Sequence, residues 1–354
     1  MSGQNKRYVD IADQIRDEIV NSAENTFLPS ERELAERFSA ERLTVRRALK
    51  LLAEEGIIST IPGKGSLISP GVRPAAARVV KANGSSSILF ILSGLGETMK
   101  QPFVANLYNR LDKLCYQQGY SLQYVNIGYG DSVQNMTKAM GEVSGVIFYS
   151  RIDMPFISAA RELGVPMVLL SNKIEGLPGI VYDNINGCYD AVTHLIENGC
   201  RHIAFIGGPP EYLNSVQRLE GYRRSLAVHQ MEYDERLVIN GDWDFESGFA
   251  CITRLIENDV AFDGVMASND TMALGAMRAL SQYKIRVPRD VKIVGFDNIE
   301  SGVYSIPSLS SVSFSTKTVT WLAMTMLKSI MEGRPTADSL MLPTQLIVRE
   351  SSQQ

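Results

Sequence analysis

The sequence predicts an α/β protein in two parts: a small, mostly helical N-terminal unit and a larger, two-lobed domain of doubly wound parallel sheets. Three observations support this prediction. Helical patterns followed by a short hairpin occupy residues 1–69. A stretch rich in proline, glycine, alanine and serine follows at residues 70–87. Beyond it, short β-branched runs alternate with helical stretches in two successive series, as expected for parallel sheets covered by helices.

The composition is typical of a soluble globular protein with room for two or three domains. The chain has 354 residues, of which 45% are hydrophobic and 21% are charged. The first residues are polar, and later apolar runs have only the length of strands. We therefore expect no secretory signal, no membrane span and a cytoplasmic location. The four cysteines lack CxxC spacing, so we expect buried, reduced thiols and no metal or other cofactor: Cys115, Cys188, Cys200 and Cys251.

These changes in character give the domain boundaries. Residues 1–69 are predicted to form the N-terminal head and residues 70–87 a linker that lacks large apolar side chains. Residues 88–354 are predicted to form the two-lobed domain, which would bind a ligand and hold two copies of the chain together.

The head contains three helical patterns and a hairpin. Apolar side chains at helical spacing form the first stripe, and Ser30 with Glu33 forms a capping box that opens the second helix. A third helix is predicted over residues 42–54, ended by Gly56. Two short strands follow, joined by a glycine-rich turn at residues 62–66. Three helices and a two-stranded hairpin predict a winged helix-turn-helix.

Charge placement on the third helix agrees with DNA binding, although the net charge of −4 does not by itself indicate it. Arg42, Arg46, Arg47 and Lys50 occur with no acidic residue among them, so they can form a local basic face. The alternative is that these side chains are simply the solvated face of a surface helix.

The larger domain is predicted to contain two series of strands and helices. The first series has strands near residues 88–92, 122–126, 145–149 and 167–170, and helices near 103–118, 133–140 and 157–163. The second series has strands near residues 202–206, 237–239, 264–267 and 292–295, and helices near 187–198, 216–229, 248–258 and 271–282. Because such sheets bind ligands at the carboxyl ends of their strands, two facing lobes place the site in the cleft between them.

Four side chains beside these strand ends are suited to a sugar. Arg218, Asn269 and Asp297 can form paired hydrogen bonds with vicinal hydroxyls, and Trp243 can cover the apolar face of a ring. Two of them have structural alternatives: Arg218 can form a salt bridge, and a lone tryptophan is usually core. Asp270 is predicted to cap a helix that begins near residue 271.

Sequence blocks in the head resemble the GntR family. They are LPSERELA at residues 28–35, RLTVRRAL at 42–49, EGII at 55–58 and GKGS at 63–66. The resemblance implies that these residues contact DNA: Ser30, Arg32, Arg42, Thr44 and Arg46 in the helices, and Lys64 and Gly65 at the wing. Glu41 departs from the family, which usually has serine or threonine there. A winged helix used for protein contacts is the alternative.

The larger domain resembles the effector domain of the lac and galactose repressors. The resemblance rests on CRHIAFIGGP at residues 200–209, RLEGY at 218–222, NDTMALGA at 269–276, VGFD at 294–297 and PSLSSV at 307–312. It implies a fold like that of periplasmic binding proteins, with Arg218, Asn269 and Asp297 gripping ligand hydroxyls. Trp243 and Phe314 would line the pocket, and Phe103 would close it from the first lobe.

The combination of the two modules is similar to that of arabinose-responsive repressors. It predicts a repressor of carbohydrate-utilisation genes that binds operator DNA as a dimer and is released when a sugar or sugar derivative binds. The alternative is a corepressor-dependent regulator or an activator that senses a non-sugar metabolite. An enzyme is disfavoured because Gly94-Leu95-Gly96 lacks the third glycine of a dinucleotide fingerprint and no histidine is visibly paired with a nucleophile.

Overall fold

The computed structural model describes residues 8, 11, 12, 15, 27–54, 58–61, 65–68, 86–93, 101–127, 133–334 and 336–353. The chain divides into two compact units, Met1–Lys81 and Ala82–Gln354. Most of the predicted linker, residues 70–85, lies outside the described residues, so its boundaries stay a prediction.

The head has the predicted order of elements. Its helices are α1 (Glu31–Arg37) and α2 (Arg42–Glu54), and its antiparallel strands are β1 (Ile58–Ile61) and β2 (Gly65–Ile68). Helical residues near the N-terminus join the inner faces of α1 and α2 in one core, because both helices carry apolar side chains at helical spacing. That core is formed by Ile11, Ala12, Ile15, Leu34, Ala35, Val45, Ala48, Leu49, Leu52 and Ile58.

The first lobe of the larger unit is built on a six-stranded parallel sheet with the order β13-β7-β6-β5-β3-β4. Its strands are β3 (Ser87–Ser93), β4 (Ser121–Ile127), β5 (Gly145–Tyr149), β6 (Met167–Leu170), β7 (Gly179–Tyr182) and β13 (Ser339–Leu342). Its helices are α3 (Pro102–Gln117), α4 (Val133–Gly141) and α5 (Met154–Glu162). Strands buried on both faces explain the continuous apolar runs of the sequence.

The second lobe repeats this build with the strand order β14-β12-β11-β10-β8-β9, in which β14 alone is antiparallel. Its strands are β8 (Ile203–Gly207), β9 (Val238–Asn240), β10 (Gly264–Ala267), β11 (Lys292–Phe296), β12 (Ser310–Ser313) and β14 (Gln345–Ile347). Its helices are α6 (Asn184–Glu197), α7 (Leu213–Val228), α8 (Phe245–Glu257), α9 (Asp270–Gln282) and α10 (Glu300–Val303). The predicted pair of doubly wound lobes is confirmed.

The chain passes between the lobes three times. It crosses from β7 to α6, from β12 to helix α11 (Thr316–Met331), which packs on β5, β6 and β7, and from β13 to β14. At the crossings, the Asp183 amide donates to the Leu342 carbonyl at 2.9 Å, and the Thr344 hydroxyl donates to the Asp183 carbonyl at 3.1 Å. These bonds tie the first and third crossings together, so the lobes share one hinge region.

Two sequence expectations need correction. Strands β7, β12, β13 and β14 and helices α10 and α11 were not predicted, so the two lobes are not simply consecutive in the chain. The predicted cap at Asp270 is also wrong. Helix α9 begins at Asp270, and its cap is Asn269, whose side-chain oxygen accepts from the Met272 amide at 2.8 Å. Asp270 instead accepts from the Ile299 amide and the Ser311 hydroxyl.

All four cysteines are buried free thiols, as predicted. No helix in the described part of the chain is long and apolar enough to cross a membrane.

Candidate functional site

The predicted DNA contacts of the head lie mainly on exposed surface at the start of α1 and α2. The Ser30 side chain caps α1: its hydroxyl oxygen accepts from the Glu33 amide at 3.3 Å, and the Glu33 carboxylate accepts from the Ser30 amide at 2.8 Å. Arg32 and Arg42 are exposed, whereas Thr44 is half-buried. The Ser30 hydroxyl is therefore already used by the capping box.

Arg46 is exposed but paired within the head. Its guanidinium donates two bonds to Glu31, with Nη2 at 2.7 Å from Oε2 and Nε at 3.0 Å from Oε1. The bond from Arg46 lowers the pKa of the Glu31 carboxyl and raises that of the guanidinium, so both remain charged at neutral pH. Glu31 thus fixes the direction of one predicted DNA contact, a role that the sequence patterns did not reveal.

At the predicted wing, Gly65 begins β2 with a φ of +106°, a backbone conformation that favours glycine. The amide of Leu28 donates to the Ser66 carbonyl at 2.8 Å, which joins the segment before α1 to the hairpin. Lys64 lies outside the described residues.

In the larger unit, Arg218 is the central side chain of the candidate ligand site. It extends from α7 toward the carboxyl ends of β10 and β11 and is 3% exposed. Its Nε donates to the Asn184 side chain at 2.9 Å, and Nη1 donates to the Ser268 carbonyl. The guanidinium carbon lies 3.6 Å from the centre of the Phe296 ring. These contacts hold the guanidinium in one orientation.

Asp297 follows β11 and faces Arg218, with Oδ1 at 3.8 Å from Nη2. Only 12% of its side chain is exposed. Burial raises the pKa of the Asp297 carboxyl to about 7, although the charge of Arg218 lowers it. A carboxyl in this state can accept hydroxyl hydrogens when ionised, and it gains or loses a proton near neutral pH.

A hydrogen-bond network fixes the turn that carries Asp297. The turn is left-handed, with φ of +102° at Asp297 and +52° at Asn298. The buried Asp270 carboxylate accepts from the Ile299 amide at 2.8 Å, and Arg349 donates to the Asn298 side chain at 2.6 Å. These bonds hold a backbone conformation that non-glycine residues rarely adopt.

Trp243 and Asn269 form a second part of the site. Trp243 has a φ of +67°, and its ring lies 5.8 Å from the guanidinium carbon of Arg218. The Asn269 side-chain amide donates to the Trp243 carbonyl at 2.9 Å while its oxygen caps α9. Gly208 allows the ring to lie close, because a β-carbon there would overlap it. Asn269 therefore positions Trp243 and retains only part of its bonding capacity for a ligand.

Phe314, at the second crossing, belongs to an aromatic cluster shared by both lobes. Its ring stacks on Tyr182 at 3.9 Å and makes an edge contact with Phe103 at 5.4 Å. Phe296 lies 6.3 Å away. The predicted residues Phe103 and Phe314 are thus together at the junction of the lobes, and both are buried.

Sequence patterns missed three polar side chains of the first lobe, all at strand ends: Tyr149, Ser171 and Tyr182. All three are buried. Burial is the largest effect on the pKa values of Tyr149 and Tyr182 and raises both, and the nearby charge of Asp297 raises them further. The Ser171 hydroxyl lies close enough to both phenols to lower their pKa values, but neither it nor the Tyr182 hydroxyl makes a well-formed hydrogen bond among the described residues. The same holds for the Ser268 hydroxyl of the second lobe. Buried hydroxyls usually have partners, so these three are available to a ligand.

Comparisons with known proteins agree with this build. Residues 7–68 match the family described as bacterial regulatory proteins, gntR family, and residues 192–352 match the periplasmic binding protein-like domain. The HTH-type transcriptional regulator CelR of Thermobifida fusca is 30% identical over 319 residues, or 84% of this chain and 94% of the relative. The probable HTH-type transcriptional repressor ExuR of Bacillus subtilis is 34% identical over 212 residues, or 58% of this chain and 64% of the relative.

Solved structures are similar over most of the chain. The complex of transcriptional regulator CelR with cellobiose has a TM-score of 0.70 and 29% identity, and the match covers 88% of this chain and 90% of that one. The lac repressor dimer bound to operator and the anti-inducer ONPF has a TM-score of 0.65 and 25% identity, with 76% and 95% covered.

A helix-turn-helix head joined to a two-lobed domain, whose lobes bring polar and aromatic side chains together where they meet, is the build of a ligand-responsive transcription regulator. The chain belongs to the family of HTH-type transcriptional regulators and combines a gntR-type head with a periplasmic-binding-protein-like effector domain. The two resemblances predicted from the sequence blocks are confirmed.

Proposed function

We propose that this regulator represses carbohydrate-utilisation genes and leaves its operator when a sugar or sugar derivative binds between the lobes. The ligand hydroxyls would donate to Asp297 and accept from Arg218, and the ring would lie against Trp243 and the aromatic cluster around Phe314. Asn269 would position Trp243. The CelR relative was solved with cellobiose, which supports a carbohydrate ligand here.

One observation carries the ligand assignment. A buried guanidinium and carboxylate at 3.8 Å lie among buried hydroxyls that make no well-formed hydrogen bond, Ser171 and Tyr182 from one lobe and Ser268 from the other. Leaving such groups unpaired costs free energy, and a polyhydroxylated ligand supplies both donors and acceptors at short spacing. A ligand that bonds to both lobes favours their closed arrangement, because only that arrangement allows all of the bonds.

The head supplies the DNA-binding half of the proposal. Arg32, Arg42 and Arg46 would contact bases and phosphates, with Ser30 and Thr44 beside the backbone and Lys64 and Gly65 at the wing. A dimer would place two heads on two half-sites. The lac repressor, to which the chain is similar, was solved as a dimer bound to operator. We place this activity in the cytoplasm, where the DNA is.

We further propose that the ligand is bound and released unchanged. His194 and Ser352 are a candidate nucleophile pair, since Nε2 lies 2.8 Å from the serine hydroxyl. However, Ser352 is fully buried and also bonded to Ser310 at 2.7 Å, which argues for a structural role. Recovery of intact sugar after long incubation with the protein tests this proposal, and conversion of the sugar would contradict it.

Calorimetric titration of the full chain tests the ligand assignment. We expect at least one member of a panel containing cellobiose, arabinose, galactose and glucuronate to bind the wild-type protein. Asp297→Asn should weaken that binding by at least tenfold, because the amide cannot accept as strongly as the carboxylate. Asp112→Asn, on α3, is the control and should leave the affinity unchanged. Equal binding by wild type and Asp297→Asn would place the ligand elsewhere, and binding of a non-sugar metabolite alone would favour the alternative sensor.

A further inference from the structure

Helix α2 presents one large apolar side chain in the middle of its outward face. Its buried residues, Val45, Ala48, Leu49 and Leu52, are at most 7% exposed and define the inward direction. At about 100° per residue, Leu43 lies on the opposite side of the helix, together with Arg47 and Lys50. Leu43 is 56% exposed.

A single exposed leucine needs no explanation on an ordinary surface, but the surroundings of Leu43 are unusual. It occupies the first turn of α2, and N-terminal residues of a recognition helix are those that reach base edges. Arg42, Arg46 and Arg47 are exposed around it. Phosphates attract these cations, so the face that becomes buried against DNA is the face that carries Leu43.

Only one feature of the major groove offers an apolar contact to such a side chain: the C5-methyl group of thymine. We propose that Leu43 is a specificity-determining residue that recognises a thymine methyl in each operator half-site. The inference rests on the proposed function, because it requires the head to enter the major groove. Arg46, whose direction is set by Glu31 at 2.7 Å, would contact polar groups beside it.

The experiment uses the full chain and duplexes that it selects from a random pool. Each thymine of the selected site is replaced in turn by deoxyuridine, which removes only the methyl group, and dissociation constants are measured by fluorescence anisotropy. For the wild type we expect about a fourfold loss at one thymine per half-site, the size of one buried methyl group. Leu43→Ala should bind the thymine and deoxyuridine duplexes equally.

Arg47→Ala is the matched control on the same helix face. It should weaken binding to all duplexes and reduce the salt dependence, yet keep the discrimination between thymine and deoxyuridine. The proposal is overturned if the wild type does not discriminate at any thymine, or if Leu43→Ala keeps the discrimination. A change of oligomeric state in Leu43→Ala without a change in discrimination would assign Leu43 to protein contact instead. Failure to enrich any duplex would overturn the DNA-binding function itself, which is a distinguishable result.

Discussion

Asp297 combines three properties that suit a ligand-responsive residue. It is almost fully buried, it faces Arg218 at 3.8 Å, and its carboxyl has a pKa of about 7. Burial disfavours the ionised form, whereas Arg218 favours it, and burial is the larger effect. Hydroxyl groups of a ligand that donate to the Asp297 carboxylate would lower its pKa, as the charge of Arg218 does. Ligand binding is therefore expected to favour ionised Asp297.

The raised pKa also predicts how stability depends on pH. Between about pH 4 and pH 7 the folded state keeps a proton on Asp297 that the unfolded state has lost, so the free energy of unfolding falls as pH rises. The expected slope is on the order of 1 kcal/mol per pH unit. Urea unfolding of wild type and Asp297→Asn across this range measures it, because the asparagine variant lacks this contribution. Parallel stability curves for the two proteins would contradict the prediction.

Sequence reasoning at this scale is most specific where a side chain belongs to a recognisable motif. Arg218 and Asp297 stand in such motifs beside strand ends, and the fold brings them to 3.8 Å from each other. Their contact with a ligand stays a prediction. Tyr149 and Tyr182 were missed because each ends an apolar strand and is indistinguishable there from core. Asp270 was misjudged because Asn269, one residue earlier, can cap the same helix, and only the fold decides between two adjacent capping residues.

At the scale of elements, local sequence rules explain the helices of the head. The capping box at Ser30 satisfies backbone groups that the start of α1 would otherwise leave free. The predicted bounds of α2, residues 42–54, are confirmed. The apolar side chains Val45, Leu49 and Leu52 follow helical spacing, which is the pattern that predicted this helix.

Ser30→Ala should destabilise α1 by about 1 kcal/mol, because it removes the cap, whereas Ser30→Asp should retain most of the stability. Hydrogen exchange of the Glu33 amide, which bonds to the Ser30 hydroxyl, reports on the helix directly. Equal exchange in the alanine and aspartate variants would show that the cap contributes nothing.

Helices α8 and α9 approach closely because each has a glycine where it meets the backbone of the other: Gly248 on α8 and Gly275 on α9. A β-carbon at Gly275 would overlap the Phe245 carbonyl, and one at Gly248 would overlap Met272. Gly275→Ala should therefore lower the free energy of unfolding by about 3 kcal/mol, as overpacking of a rigid contact does.

The matched control is Gly141→Ala at the end of α4, where an added β-carbon meets nothing within 4 Å. This change should alter the free energy of unfolding by less than about 1 kcal/mol. Urea titration of both variants makes the comparison, and similar effects of the two substitutions would contradict the close-packing argument.

At the scale of the whole molecule, the sequence predicted two lobes but not how they are joined. The alternation of strand and helix patterns in the sequence ends after β11. The elements that follow β11 are short or belong to the other lobe. Strands β13 and β14 have four and three residues, and β13 pairs with β7 more than 150 positions earlier. Such long-range pairing leaves no local signal, since periodicity describes faces and not partners.

The three crossings join the two lobes beside the candidate ligand site. Phe314 lies at the second crossing and touches Tyr182 and Phe103 of the first lobe and Phe296 of the second. Gly187 packs against Thr344 and Val312 beside the first crossing. The proposed ligand, bound at Arg218 and Asp297, would therefore lie beside the segments that join the two lobes.

We expect a ligand bound between the lobes to lower the affinity of the head for DNA. Anisotropy measurements with a selected duplex test it most directly, with and without a saturating sugar that calorimetry has shown to bind. We predict a 5- to 150-fold loss of DNA affinity for the wild type, which corresponds to a coupling of about 1–3 kcal/mol, and a smaller loss at the same sugar concentration for Asp297→Asn, because the variant binds the sugar more weakly. A sugar that saturates the wild-type cleft and leaves its DNA affinity unchanged would contradict the account.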